Sequence, residues 1–216
     1  MKRSRGETVV LAAGDFPRRG GAAWQLLAGA KRVVACDSAA AAYRRRFHRW
    51  PDVVVGDFDS LRCRAPGAGR RSPADAGRAP DLVRFTDQET NDLEKALVYC
   101  AMRGWKDPVV VGAAGRREDH TLGNVFRALD YGVETVTDYG RFVPVAGRAS
   151  LAVAKGAPVS IFATDPKTRM TSKGLEWPLD GVRFRNLYCA TLNRTTATRM
   201  VLTATRPVYV YLAERN

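Results

Sequence analysis

Histidine is nearly missing from this chain, with two in 216 residues. Cysteine is sparse too. Cys36, Cys63, Cys100 and Cys189 show no CxxC and no short Cys–His spacing, which argues against a zinc site and a disulfide framework. No apolar run approaches the roughly 18 residues that a bilayer-spanning helix needs. The run near the start, TVVLAAGDF, is broken by Gly14 and Asp15, too soon for a secretory leader. A cytoplasmic protein is therefore expected. Two nucleotide-site signatures are absent as well. Without GxxxxGK[ST], or GxGxxG after the first strand, neither a P-loop nor a dinucleotide-binding Rossmann domain is expected. Acids are the minority charge, 22 against 35 Lys and Arg, for a net +13. The basic residues are mostly arginine, lie scattered, and lack the interleaved aromatics of a stacking platform. We read this charge as compositional and expect no nucleic-acid partner, although a basic field attracts a nucleoside triphosphate.

What is present has a rhythm. Residues 8–12 read as a strand. Residues 22–30 (AAWQLLAGA) read as a helix with Trp24, Leu27 and Ala28 on one face. RVVACD (32–37) is a second strand ending on Asp37, and 39–47 a second helix. PDVVVGDFD (51–59) is a third strand ending on acids. This alternation points to βαβ units and a parallel sheet, whose ligands bind beyond the carboxyl ends of its strands. Residues 62–80, rich in Gly, Pro, Ala and Arg, read as a surface loop or a locally disordered insert. Order resumes with a strand at 82–85. The next helix starts at Thr90 or Asn91, either of which suits a cap, and aligns Leu93, Ala96, Leu97 and Cys100. A strand within 107–115 and a helix over 120–132, stopped by Gly132, follow. Beyond about residue 133 the segments become short, β-rich and divided by Gly and Pro. The expected fold is an α/β parallel-sheet domain over 1–142, then a small antiparallel β-sandwich over 143–216.

The chemistry lies in the acids. Asp37, Asp57 and Asp59 end strands, Asp92 starts a helix, and Asp119 follows a glycine turn. Each singly has an ordinary structural use: Asp92 suits a helix N-terminus and Asp37 an Asx-turn. Asp57 and Asp59, two residues apart, are expected to face one space. At about 4 Å and an effective dielectric near 20, two like charges repel by ~4 kcal/mol. Magnesium, which takes hard oxygen ligands and phosphates, offsets such crowding. Metal–phosphate chemistry is the reading favoured for five acids at one sheet edge. GAAGRREDH (112–120) adds Arg116 and Arg117, whose planar forks suit phosphate oxygens; a solvated turn is the ordinary alternative. His120 stays unassigned. Trp177, taken alone, reads as core.

In this order the residues resemble the thiamine pyrophosphokinase family. The resemblance rests on Cys36-Asp37-Ser38-Ala39, PDVVVGDFDS (51–60), Asp87-Gln88 through Asp92 to Lys95-Ala96, and GAAGRREDHTLGN (112–124). SKGLEWPL (172–179), Thr191 to Asn193 and the closing VYVYL (208–212) extend it over nearly the whole chain, apart from 62–80. It implies transfer of pyrophosphate from ATP to the hydroxyl of thiamine, giving thiamine diphosphate and AMP. It also implies a homodimer with active sites between subunits. By the same resemblance Asp57, Asp59 and Asp92 hold Mg2+, and Asp37 completes the catalytic acids. Gln88, Asn91, Arg117 and Asp119 bind ATP, Trp177 stacks on thiamine, and Thr191 and Asn193 bind beside it. Departures from the family pattern are Ser38-Ala39 for two glycines, Arg116 for a glycine, and Ala190 and Leu192 for two serines. Transfer to another small alcohol stays open, as does a non-catalytic, nucleic-acid-binding relative.

Overall fold

The computed structural model describes residues 6–58, 79–87 and 89–214. Asp59, Gln88 and all but the last two residues of the 62–80 insert lie outside the described residues. The chain divides into two compact units, Met1–Ala128 and Leu129–Asn216.

In the first unit, β1 (Thr8–Leu11), β2 (Arg32–Cys36), β3 (Val53–Gly56), β4 (Asp81–Arg84) and β5 (Val109–Val111) form a parallel sheet. Its order is β5-β1-β2-β3-β4. The strands TVVL, VVVG and VVV are buried at every position. Runs of valine without alternation are what a sheet covered on both faces requires. β4 (DLVR), paired only to β3 among the described residues, is largely exposed and carries a charge at each end, as an edge does.

The helices are α1 (Ala22–Gly29), α2 (Asp37–Phe47), α3 (Asp92–Met102) and α4 (Glu118–Asp130). α1 buries Ala23 and Leu27 and half-buries Trp24, while Ala28 is exposed, which corrects the expected face. The cause is tertiary. Trp24 stacks on Phe47 at 4.6 Å and meets Phe16 edge-on at 6.0 Å, so aromatic packing sets the rotation of a weakly amphipathic helix. α2 starts at Asp37, two residues before the alanine run, directly from the end of β2.

The chain steps outward from β1 to β4 and then returns to the other side of β1 as β5. A sheet of this kind leaves a crevice where its order reverses. There the loops after β1 and β5 touch: the Gly14 N–H donates to the Gly112 carbonyl, and the Asp15 N–H to the Ala114 carbonyl, both at 2.7 Å. A β-carbon on Gly14 would stand 2.3 Å from the Ala114 carbonyl oxygen, so only glycine allows this approach.

The second unit is antiparallel. β6 (Glu134–Val136), β7 (Gly140–Ala152), β8 (Pro158–Phe162), β9 (Met170–Lys173), β10 (Ala190–Arg194) and β11 (Arg199–Ala213) follow α4. β7 and β11 pair along their whole length. One half of this ribbon carries β6 and β8, with β10 beyond β8, and the other half carries β9. Between the pairs Ala204–Gly147 and Val208–Val145, residues 205–207 stand opposite Ala146 alone. Such an irregularity bends strands and lets one ribbon serve two layers. Met200, Leu202 and Ala204 from one side meet Ile161, Val208 and Val210 from the other in a single core. Each large side chain buried there contributes about 1.5–3 kcal/mol. The two-part α/β and β-sandwich architecture is the one the sequence leads one to expect.

Candidate active site

Asp37 and Asp57 follow adjacent strands. β2 pairs with β3 so that Cys36 lies opposite Val55, which brings the next residues of both chains to one edge. Asp37 opens α2 and is 1% exposed; Asp57 is half-buried. Between them Gly56 leaves the room: a β-carbon there would lie 2.6 Å from that of Asp37. β3 stops at Gly56, and Phe58 adopts φ 67, the left-handed region, at an expense of roughly 1–2 kcal/mol for an L-residue. The backbone therefore turns after Asp57. Strained backbone of this kind clusters at functional sites.

Asp92 comes from the start of α3, and a chain of side-chain bonds fixes that start. Asp87 accepts from the Glu89 N–H at 2.8 Å and from the Thr90 hydroxyl, turning the chain. Asn91 then caps α3, its Oδ1 accepting from the Glu94 N–H at 2.9 Å, while its Nδ2 donates to Asn124 Oδ1 at 3.2 Å. Asn124 in turn donates to the Ala113 carbonyl at 3.3 Å, and Arg127 pairs with Glu94 at 3.2 Å. α3, α4 and the loop after β5 are thus tied together around Asn91. The expected ATP ligand Asn91 has its side chain engaged in this scaffold.

The acids also act on one another. Burial raises the pKa of Asp92 above the ordinary carboxylate value; Lys95 opposes the rise and the charge of Asp57 adds to it. Burial likewise raises the Cys36 thiol, with Asp92 and Asp37 adding to it. Asp37, Asp57 and Asp92 thus converge at the ends of β2 and β3. Asp119 is engaged with Arg117, whose hydrogen bonds are the chief cause of its pKa being lowered to about 2. Of the five acids expected together, Asp37, Asp57 and Asp92 are neighbours, Asp59 lies outside the described residues, and Asp119 pairs with Arg117. Asp119 stands in the first turn of α4, and Gly115 before it faces the Asp15 carboxylate.

No group of three His, Cys, Asp or Glu among the described residues is arranged to hold a metal ion. The donor chemistry of the cluster nevertheless fits magnesium. Its groups are carboxylate oxygens, and the pressure of Asp57 on Asp92 is relieved by a cation.

Arg117 and Asp119 form a fork-to-carboxylate pair, Nε to Oδ1 at 3.1 Å and Nη2 to Oδ2 at 2.6 Å, both side chains largely exposed. The turn below them is braced by Thr121, whose hydroxyl accepts from the Gly115 N–H and donates to the Arg117 carbonyl, each at 3.0 Å. Arg116, where the family pattern has glycine, holds φ 61.

In the second unit Trp177 is 55% exposed, which corrects its reading as core. The reason lies sixteen residues away. Asn193, 5% exposed, accepts from the Trp177 N–H at 3.2 Å and the Arg194 N–H at 2.8 Å, and donates to the Trp177 carbonyl at 2.7 Å. Its amide clamps the loop by its backbone and leaves the indole outside. Thr191 donates to the Tyr188 carbonyl at 3.0 Å. Between them Leu192 sits at φ 59, 85% exposed, where the β10–β8 register shifts. The sequence reading gave no role to Asp15, Lys95 or Asn124. The only signal for them was their place inside GDFP or the motifs already quoted.

Fold and site together define a class: a parallel α/β unit with acids at its strand ends, joined to an antiparallel β unit. Residues 23–137 match the family described as thiamin pyrophosphokinase, catalytic domain, and residues 140–211 that described as thiamin pyrophosphokinase, substrate-binding domain. The chain belongs to the thiamin pyrophosphokinase family. Thiamin pyrophosphokinase 1 of Caenorhabditis elegans is 30% identical over 88 residues, 38% of this chain. That match spans about a third of the worm protein, 32% of its length. The crystal structure of thiamin pyrophosphokinase from Geobacillus thermodenitrificans superposes with a TM-score of 0.72 at 20% identity, covering 97% of each chain. That from Candida albicans gives 0.68 at 15% identity, covering 96% of this chain and 89% of its own. At such identities the two structures speak for the fold. Among the described residues no helix is long and apolar enough to cross a membrane.

Proposed function

We propose that the protein transfers the pyrophosphoryl group of ATP to the hydroxyl of thiamine, giving thiamine diphosphate and AMP, as a cytoplasmic, magnesium-dependent homodimer. The observation that carries this reading is the convergence of Asp37, Asp57 and Asp92 at adjacent strand ends in a chain matched by both family domains.

Transfer of this kind asks a protein for positioning and charge neutralisation more than for covalent chemistry. In the proposed roles Asp57, Asp59 and Asp92 would hold magnesium, which would neutralise phosphate charge. Asp37 would add its charge to the set. Arg117 offers its guanidinium to phosphate, steadied by Asp119, and Gln88 would bind the nucleotide. Trp177 presents an exposed flat face for the thiamine pyrimidine. Asn193, with Thr191 nearby, holds that face in place.

The test is direct. Purified protein with ATP, Mg2+ and thiamine should yield thiamine diphosphate by mass and one AMP for each. Asp57→Asn and Asp59→Asn should each lower turnover by about a hundredfold with the fold intact. Near-normal AMP release from either variant would remove the metal assignment. A second reading, transfer to another small alcohol, draws on Leu192, a strained and exposed leucine where the family pattern has serine. AMP formation across a panel of primary alcohols separates the two.

A further inference from the structure

Lys95 lies on α3 one turn after Asp92, with its side chain only 5% exposed and Nζ 3.7 Å from Asp92 Oδ1. Three terms oppose a lysine at this place. Its ammonium is strongly hydrated in water, and burial strips that shell. It stands in the first turn of a helix, where the dipole favours anions. Its neighbours Leu93, Ala96 and Leu97 are buried and apolar. What outweighs these terms is the negative charge of Asp92, with Asp57 acting on the same carboxylate.

We infer that Lys95 is the built-in counter-ion of the acid cluster: a positioning residue that holds Asp92 beside Asp57 when no divalent cation is bound, and that competes with magnesium for Asp92. The inference rests on the proposed reading of these acids as cation-holding groups. It explains how a site with buried and half-buried like charges folds before its cation arrives. It also gives the lysine of the quoted Asp92-to-Lys95 motif a duty distinct from contact with substrate. Removing one partner of a buried ion pair leaves the other uncompensated, the costlier of the two outcomes.

The experiment compares wild type, Lys95→Met, Lys95→Arg and the double variant Asp92→Asn/Lys95→Met by thermal melting, in EDTA and across a Mg2+ titration. Stabilisation of the wild type by Mg2+ tests the cation reading by itself. In EDTA, Lys95→Met should melt well below wild type. Lys95→Arg, which keeps the charge, should melt near it, and the double variant should recover much of the loss. The Mg2+ concentration giving half-maximal stabilisation should fall about tenfold in Lys95→Met, the effect of one unit charge removed at close range. An unmoved Mg2+ midpoint, or no recovery in the double variant, would overturn the inference. Should Lys95→Met fail to fold, the double variant decides: if it folds, charge crowding was the cause; if it too fails, packing was. A rise in the KM for ATP with unchanged melting in EDTA would instead assign Lys95 to the substrate.

Discussion

Gly56 and Asp37 lie so close across the ends of β3 and β2 that a β-carbon on the glycine would come within 2.6 Å of the aspartate's own. No real pair of carbon atoms tolerates that, so Gly56→Ala must push Asp37 or the strand end aside. The substitution should destabilise the fold by about 1–3 kcal/mol, as overpacking does, and lower turnover with it. Gly123→Ala is the control. Gly123 is a helical position with nothing within 4 Å of the added carbon, and it should gain up to about 1 kcal/mol. Urea unfolding of both variants checks the contrast.

Arg116 departs from glycine at a position that glycine suits. At φ 61 an L-residue carries about 1–2 kcal/mol of strain, part of which glycine loses again to its freedom in the unfolded chain. Arg116→Gly should therefore be more stable by roughly 0.5–1 kcal/mol, and Arg116→Ala should show no gain. Equal stabilities for the two variants would mean the backbone is not strained there.

The pairing of Asp119 with Arg117 should show in a pH profile. Hydrogen bonds from Arg117 depress the Asp119 carboxyl from 3.8 to about 2. A depressed acid adds stability above its unfolded value and loses it as the pH falls through the folded one. The melting difference between wild type and Asp119→Asn should be full above about pH 4 and vanish near pH 2. Both partners are exposed, so the difference is small and should shrink further in salt. A pH-independent difference would contradict the pairing.

Trp177 and Asn193 divide the labour of one loop. Trp177→Ala should leave stability within about 0.5 kcal/mol, because the indole is exposed. It should weaken thiamine binding, read as lost quenching of tryptophan fluorescence in titrations of wild type against the variant. Asn193→Ala removes a buried amide that holds three backbone groups, and should cost about 1–3 kcal/mol as well as the binding. A stable Asn193→Ala variant would show that the clamp is not needed.

The legible part of the site was its strand ends. Valine runs mark buried parallel strands without help from context, and the acids that follow them land where the strands stop. Asp92 was legible for a related reason: Asp87, Thr90 and Asn91 spell a turn and a cap that need no distant partner. Trp177 was legible only through the family resemblance, because its exposure depends on Asn193, far along the chain. Lys95 was invisible for the opposite reason. A lysine on an apolar face looks like an outward-pointing interruption until the carboxylates that hold it are in view. Asp119 shared the acidic look of the others, and its pairing with Arg117 came only with the structure.

The order of residues by itself determined the α/β rhythm, the β-rich second half, and the strand-end and helix-start positions of Asp37, Asp57 and Asp92. Each of these depends on periodicity and local turn chemistry within a few residues. Only the tertiary structure decided which acids share a field, which lysine answers them, and which aromatic stays in solvent. Those outcomes are set by burial and by Coulomb forces between groups the chain brings together from far apart.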